Sequence, residues 1–216
     1  MRTQFDKQLQ TLHIELIRMG SLCEQIISLC ANMLLKKENL SMDIQIAEAE
    51  IDQKERDIEN LCLKLLLQQQ PVAKDLRIIS AALKMISDLE RIGDQAADIA
   101  ELVPYLADCD APEKVHIGDM ARATVKMVTQ SIDAFVKSDM KMAAEVMEKD
   151  DEVDQLFEKI KCELMELIRQ NGLDAKAAID LLMAAKYFER IGDHAVNVAE
   201  WVEYSVTGVH KNGANF

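Results

Sequence analysis

Three observations predict an all-α fold built as two tandem three-helix bundles related by an internal repeat. The 216-residue chain has only seven Gly and three Pro, its aromatics are 4 %, and Leu, Ile, Ala, Met, Glu and Lys dominate. That bias favours helix, and runs of β-branched and aromatic residues bounded by turns are missing. The third observation is a repeat. Glu90-Arg91-Ile92-Gly93-Asp94 returns 99 residues later as Glu189-Arg190-Ile191-Gly192-Asp193, and ten of sixteen positions agree between Glu90–Tyr105 and Glu189–Tyr204. In that alignment Asp98 falls on Asn197 and Glu101 on Glu200.

The first helix is expected from about Thr3 to Lys37, because Leu9, Leu12, Leu16, Met19, Cys23, Ile26 and Cys30 recur at steps of three and four. Ser41 is the expected cap of a second helix, Met42–Gln69, whose heptad runs through Ile44, Ile51, Ile58 and Leu65. Pro71 marks a turn, and a third helix follows over Val72–Val103, with Leu76, Ile79, Leu83 and Ile86 as its core stripe. The break at Asp108–Pro112 separates the units, giving 1–107 and 108–216. A fourth helix is expected over Glu113–Lys137, and Asp139 caps a fifth, Met140–Arg169, which repeats the heptad as Val146, Val153, Ile160 and Leu167. Asn171-Gly172 reads as a glycine C-cap, and Asp174 caps a sixth helix running to about Thr207.

Charge and composition narrow the function classes. A net charge of −13 argues against direct nucleic-acid binding, which needs a basic surface. Five scattered cysteines without a Cys-x-x-Cys indicate neither a disulfide framework nor a thiolate metal site. There is no signal-peptide core and no run of 18 apolar residues, so the expectation is a cytoplasmic protein without membrane insertion. Phosphate-binding glycine loops, Ser-His-Asp arrangements and a dinucleotide fingerprint are absent, and nothing reads as an enzyme. The one Glu-x-x-His, Glu113 to His116, has no duplicate, whereas a di-iron carboxylate oxidase wants two; His194, beside Asp193, reads as ordinary surface or as a support behind the carboxylate ligands.

The chemistry lies in duplicated carboxylates. Glu48 and Asp52 on the second helix, Glu90 and Asp94 on the third, form Glu/Asp-x-x-x-Asp pairs, and Asp150 with Asp154 and Glu189 with Asp193 repeat them. Residues at i and i+4 share a helix face. Asp52 and Glu90 are centred on residue 71, as are Glu48 and Asp94, while the second set is centred on the 171–172 turn. Antiparallel hairpins therefore hold four carboxylates level with one another, about 28 Å from each turn. Glu90 and Gly93 continue the core stripe, so burial there calls for pairing or a metal. Gly93 and Gly192, each costing about 1 kcal/mol in mid-helix, imply a close approach to the backbone. The reading is an oxygen-ligated, polynuclear metal site in each unit, with iron, zinc, manganese or magnesium all compatible. The competing reading pairs Glu90 and Glu189 with Arg91, Arg190 or a basic residue of the first or fourth helix.

At these residues the sequence resembles the PhoU family of phosphate-specific transport accessory and regulatory proteins. The resemblance spans the chain: Phe5–Gly20, Gln70-Pro71-Val72-Ala73-Lys74-Asp75-Leu76-Arg77, both Glu-Arg-Ile-Gly-Asp segments, Asp139–Ala143 and Asp150–Asp154. It implies two similar three-helix bundles carrying multinuclear iron, or zinc, on Glu48, Asp52, Glu90, Asp94, Asp150, Asp154, Glu189 and Asp193. It further implies a cytoplasmic negative regulator of phosphate uptake and of the phosphate-starvation response. That regulator would link the ATPase subunit of a phosphate ABC transporter to a phosphate-sensing histidine kinase. A homodimer is compatible with the repeat. A metal-storage or redox bundle and a metal-free scaffold are the other readings.

Overall fold

The computed structural model describes residues 2–68, 72–106 and 109–209. Six helices follow in order: α1 (Arg2–Lys36), α2 (Ser41–Gln68), α3 (Ala73–Leu102), α4 (Ile117–Lys137), α5 (Met140–Arg169) and α6 (Ala175–Thr207). Short 3-10 turns at Val103–Leu106 and Ala111–Lys114 lie between α3 and α4. Among the described residues there is no strand. Pro71 and the 107/108 boundary lie outside the described residues.

The helix ends show where local chemistry acts. Asp139 and Asp174 cap α5 and α6 as expected, each side chain accepting from the second and third backbone N–H groups that follow. Three expectations are corrected. Ser41 is the first helical residue rather than the cap, since the Leu40 carbonyl already accepts from Ile44 N–H. After α5 the left-handed position is taken by Asn171, at φ 54°, not by Gly172. Asn171 N–H returns to Ile168 and Gly172 N–H to Leu167, the paired bonds of a Schellman ending with asparagine in the glycine's usual place. The fourth helix starts at Ile117, four residues later than expected, because Pro112 sits in a separate 3-10 turn.

Packing follows the apolar stripes. Leu12, Leu16, Met19, Cys23, Ile26 and Cys30 of α1 are buried, as are Ile44, Ile51, Ile58 and Leu65 of α2 and Val146, Val153 and Ile160 of α5. In α3 the expected stripe is buried at Ile79 and Ile86, partly buried at Leu83, and fails at its start. Leu76 is 46 % exposed, whereas Met85, Leu89, Ile92 and Ala96 are fully buried. Glu90 consequently sits on the rim of the core, half-buried.

The helices α1, α2 and α3 pack on one another, and so do α4, α5 and α6. The two units meet through α3 on α6, the most extensive helix pair, and α1 on α4. Both contacts are antiparallel. Arg77 lies against Gly208 while Asp88 bonds His194, and Gly20 faces Ile132 while Leu35 faces Gly118. One continuous apolar core joins both units.

Gly93 explains the tightness of the first hairpin. A Cβ there would stand 3.0 Å from Ile51 Cδ1 and 3.3 Å from its Cγ2, so α2 is the close neighbour that its lack of a side chain admits. Gly93→Leu should therefore lower stability by about 1–3 kcal/mol, the usual range for overpacking. An unchanged urea midpoint would mean that α2 backs away from α3 without loss.

Candidate metal centre

The hairpin register brings the predicted carboxylates level. Ser87 Oγ donates to Glu55 Oε1 at 3.4 Å, a pair centred on residue 71. In the second hairpin Lys186 Nζ lies 5.5 Å from the Phe157 ring centroid, a pair centred on the 171–172 turn. Acidic residues placed symmetrically about those turns must therefore meet across α2/α3 and α5/α6.

In the first unit Asp52, Glu90 and Asp94 each offer one carboxylate oxygen, and the three atoms lie within 4.8 Å of one another. Their side chains are 43, 22 and 29 % exposed, so the cluster opens to solvent on one side. Glu48, the fourth expected ligand, is outside this close trio but feels its charge. Burial raises its carboxyl above the ordinary range, with further repulsion from Asp94, Asp52, Glu101 and Asp98. Glu90 is raised by burial and by Asp94, against the opposing pull of Arg91. Asp98 is raised by burial and Glu101. Three close hard oxygens without an internal histidine or thiolate suit a hard or borderline cation.

Basic side chains share the same carboxylates. Arg91 Nη1 lies 2.9 Å from Asp94 Oδ2 and its Nε 3.5 Å from Glu90 Oε2, while Arg56 stands 3.9 Å from Asp52. The pairing partners thus come from α2 and α3 themselves, as expected for Arg91, rather than from α1 or α4. Arg91 is 60 % exposed and bonds from the solvent side, where such pairs contribute little.

The second unit has the same residues in a looser arrangement. Asp150 Oδ1 lies 3.4 Å from where a Gly192 Cβ would project, so this glycine makes room for a carboxylate and for Val153. Burial pushes Asp150 up to about 6, with Asp193, Asp154 and Glu189 adding repulsion. Asp193 is raised by burial and Glu189. Lys186 pairs directly with Glu189, which is 15 % exposed. Asp154 and Asp193 face solvent. Among the described residues no three carboxylates of this unit approach as closely as those of the first.

Two groups were not visible as site residues in the sequence. Asp88 accepts from Asn197 Nδ2 at 3.0 Å and lies 3.0 Å from His194 Nδ1, tying α3 to α6 between the units. His194 is therefore half-buried and paired, a correction to its reading as ordinary surface. The exchange of Asp98 for Asn197 also acquires a reason, since an amide can donate to Asp88 where a carboxylate would repel it. His116 bonds Glu163 of α5 through Nδ1 at 2.5 Å, not Glu113.

Comparison with known proteins places this arrangement. The PhoU domain model matches residues 16–103 and 117–202, once in each unit. The chain belongs to the PhoU family. It is 37 % identical over 214 residues to a phosphate-specific transport system accessory protein PhoU homolog of Clostridium acetobutylicum, covering 96 % of each chain. The PhoU homolog of Pseudomonas aeruginosa is 33 % identical over 211 residues, 95 % of this chain and 86 % of its own. A crystal structure of PhoU from Pseudomonas aeruginosa superposes with a TM-score of 0.86 at 30 % identity, covering 95 % of this chain and all of the other. That of the phosphate transport system regulatory protein PhoU from Streptococcus pneumoniae gives 0.86 at 27 %, covering 95 % and 98 %. The PhoU-type pair of three-helix bundles agrees with the fold expected from the repeat.

The raised carboxyls have a sign that can be measured. A folded value above the unfolded one adds stability that is full below about pH 4 and is lost as pH rises through about 6, the Asp150 value. Chelator-treated protein should therefore lose thermal stability between about pH 4 and 6. Asp150→Asn should remove part of that loss and melt higher than wild type at pH 7. Equal melting of the two proteins across this range would show that Asp150 carries no strain.

Proposed function

We propose that this chain is a metal-binding cytoplasmic adaptor that negatively regulates phosphate uptake and the phosphate-starvation response, linking a phosphate ABC transporter's ATPase subunit to a sensor histidine kinase. The observation that carries the metal part is the trio Asp52, Glu90 and Asp94, whose oxygens lie within 4.8 Å on a motif the chain duplicates. The phosphate-transport part is supported by relatives over 30 % identical across nearly the whole chain, whose names assign them to a phosphate-specific transport system. Among the described residues no helix is long and apolar enough to cross a membrane, which suits an accessory role beside a transporter.

In this reading cations held by Glu48, Asp52, Glu90 and Asp94 neutralise the charges opposed across α2 and α3. A second group held by Asp150, Asp154, Glu189 and Asp193 does the same for α5 and α6. Iron or zinc are the first choices, with manganese or magnesium compatible with the same donors. Occupancy relieves the like-charge repulsion across each hairpin and so sets its packing, and the partner surface responds.

Elemental mass spectrometry on untagged protein tests the site directly. Near-stoichiometric metal is expected in wild type and its loss in the Glu90→Ala, Glu189→Ala double variant. At limiting metal Glu90→Ala should cost more than Glu189→Ala, because Lys186 already occupies Glu189. Retention of metal by the double variant would move the ions elsewhere. Hydrogen exchange in α2 and α3 should slow on loading, and a transporter ATPase subunit should be retained stoichiometrically by wild type. Identical exchange with and without metal would separate metal binding from any regulatory role.

A further inference from the structure

The repeat also supplies an internal control for a second site, independent of the carboxylate clusters. Between α4 and α5 lies a cavity of about 370 Å³ lined by Arg122, Lys126, Lys149 and Lys159, with Asp119 and Glu152 the carboxylates on its wall. This is a local excess of positive charge on a chain of net charge −13. Among the described residues Arg122 is the one of these four with a carboxylate partner, pairing with Asp119. Lys159 Nζ lies 2.8 Å from His116 Nε2, whose other ring nitrogen bonds Glu163. Lys149 donates to the neutral amide of Gln130. Among the described residues Lys126 has no ion-pair partner.

The corresponding face of the first unit pairs its cations with a carboxylate. Leu12, Leu16, Met19 and Cys23 of α1 fall on Met120, Thr124, Met127 and Ser131 of α4, all eight with no exposure. In that register Arg18 corresponds to Lys126 and Glu15 to Ala123, and the heptads of α2 and α5 place Lys54 on Leu156. Glu15 bonds both Arg18 and Lys54 at 2.6 Å, so each of these cations has a carboxylate partner. Ala123 and Leu156 line the second cavity where that bridge would stand. The second unit thus has a cation, Lys126, at the place of Arg18 and no carboxylate at the place of Glu15.

We infer that the α4/α5 cavity binds a small anion bearing two or more phosphoryl groups. From Lys149 to Lys159 the row of cations spans about 15 Å along α5, longer than one phosphate can bridge. A condensed phosphate chain places several charges along that row, enough to outweigh the local Asp119 and Glu152. Primary ammonium groups on flexible stems suit such a chain as point charges, and Arg122 can turn from Asp119 to grip a terminal phosphoryl.

Titration calorimetry on full-length, chelator-treated protein at constant ionic strength tests this with tripolyphosphate, inorganic phosphate and sulfate as probes. One tripolyphosphate site is expected, with inorganic phosphate and sulfate at least tenfold weaker. Ala123→Glu, which restores the first unit's counter-ion beside Lys126, and Lys126→Ala with Lys149→Ala should each weaken tripolyphosphate at least tenfold at an unchanged melting temperature. Arg18→Ala in the first unit should leave affinity as it was. Absence of tripolyphosphate binding to wild type, or equal binding by the cavity variants, would overturn the assignment. Equal affinity for inorganic phosphate would overturn the multi-phosphoryl preference.

Discussion

Apolar packing holds like charges face to face, and much else in the molecule answers to that. The heptads of α2 and α5 are buried against α3 and α6, and each buried Ile, Val or Leu contributes about 1.5–3 kcal/mol. Against this stands the crowding of carboxylates. The rise of Asp150 to about 6 corresponds to something on the order of 3 kcal/mol before solvent screening reduces it. That cost is first the burial of the carboxylate and then repulsion from its neighbours, and a handful of buried aliphatic side chains outweighs it, so the hairpins close with the acids still opposed. Gly93 and Gly192 make the closure tight enough for the charges to matter.

The two halves have not remained equivalent. In the first unit three carboxylate oxygens converge and exposed arginines attend them. In the second a lysine is drawn in to Glu189, and Asn197 is turned to the inter-unit bond with Asp88. The reverse asymmetry holds for the other hairpin faces, where Glu15 pairs with Arg18 and Lys54 in the first and Ala123 leaves Lys126 without such a partner in the second. Divergence is concentrated in polar residues beside a shared apolar frame.

Much of this was legible in the sequence because helices carry their own periodicity. The stripe from Leu12 to Cys30 and the heptads from Ile44 and Val146 reappear as buried faces. The carboxylate register could be read because a short turn fixes which residues of an antiparallel hairpin are level. What was hidden depended on three-dimensional contacts between units. Asp88 meets His194 across more than a hundred residues, a relation that no local spacing encodes. The wide buried face of α3 has the same origin, since this helix packs on α6 as well as on α1 and α2 and the pattern of one unit does not reveal the third neighbour. Helix ends were partly legible. Aspartates at Asp139 and Asp174 have one strong local use, whereas Asn171 and Gly172 compete for the same left-handed position.

The antiparallel pairing of α3 with α6, and of α1 with α4, relates equivalent surfaces of the two halves by an approximate two-fold axis. Such a contact is isologous, the kind that joins identical subunits. A single half alone would leave the apolar sides of two helices bare, and two such halves would cover each other. The covalent connection between them then acts as a tether that raises the effective concentration of one half around the other. Gene duplication followed by fusion of an ancestral symmetric pair accounts for this geometry. It also released each half to change without its twin, as Ala123 and Asn197 have done.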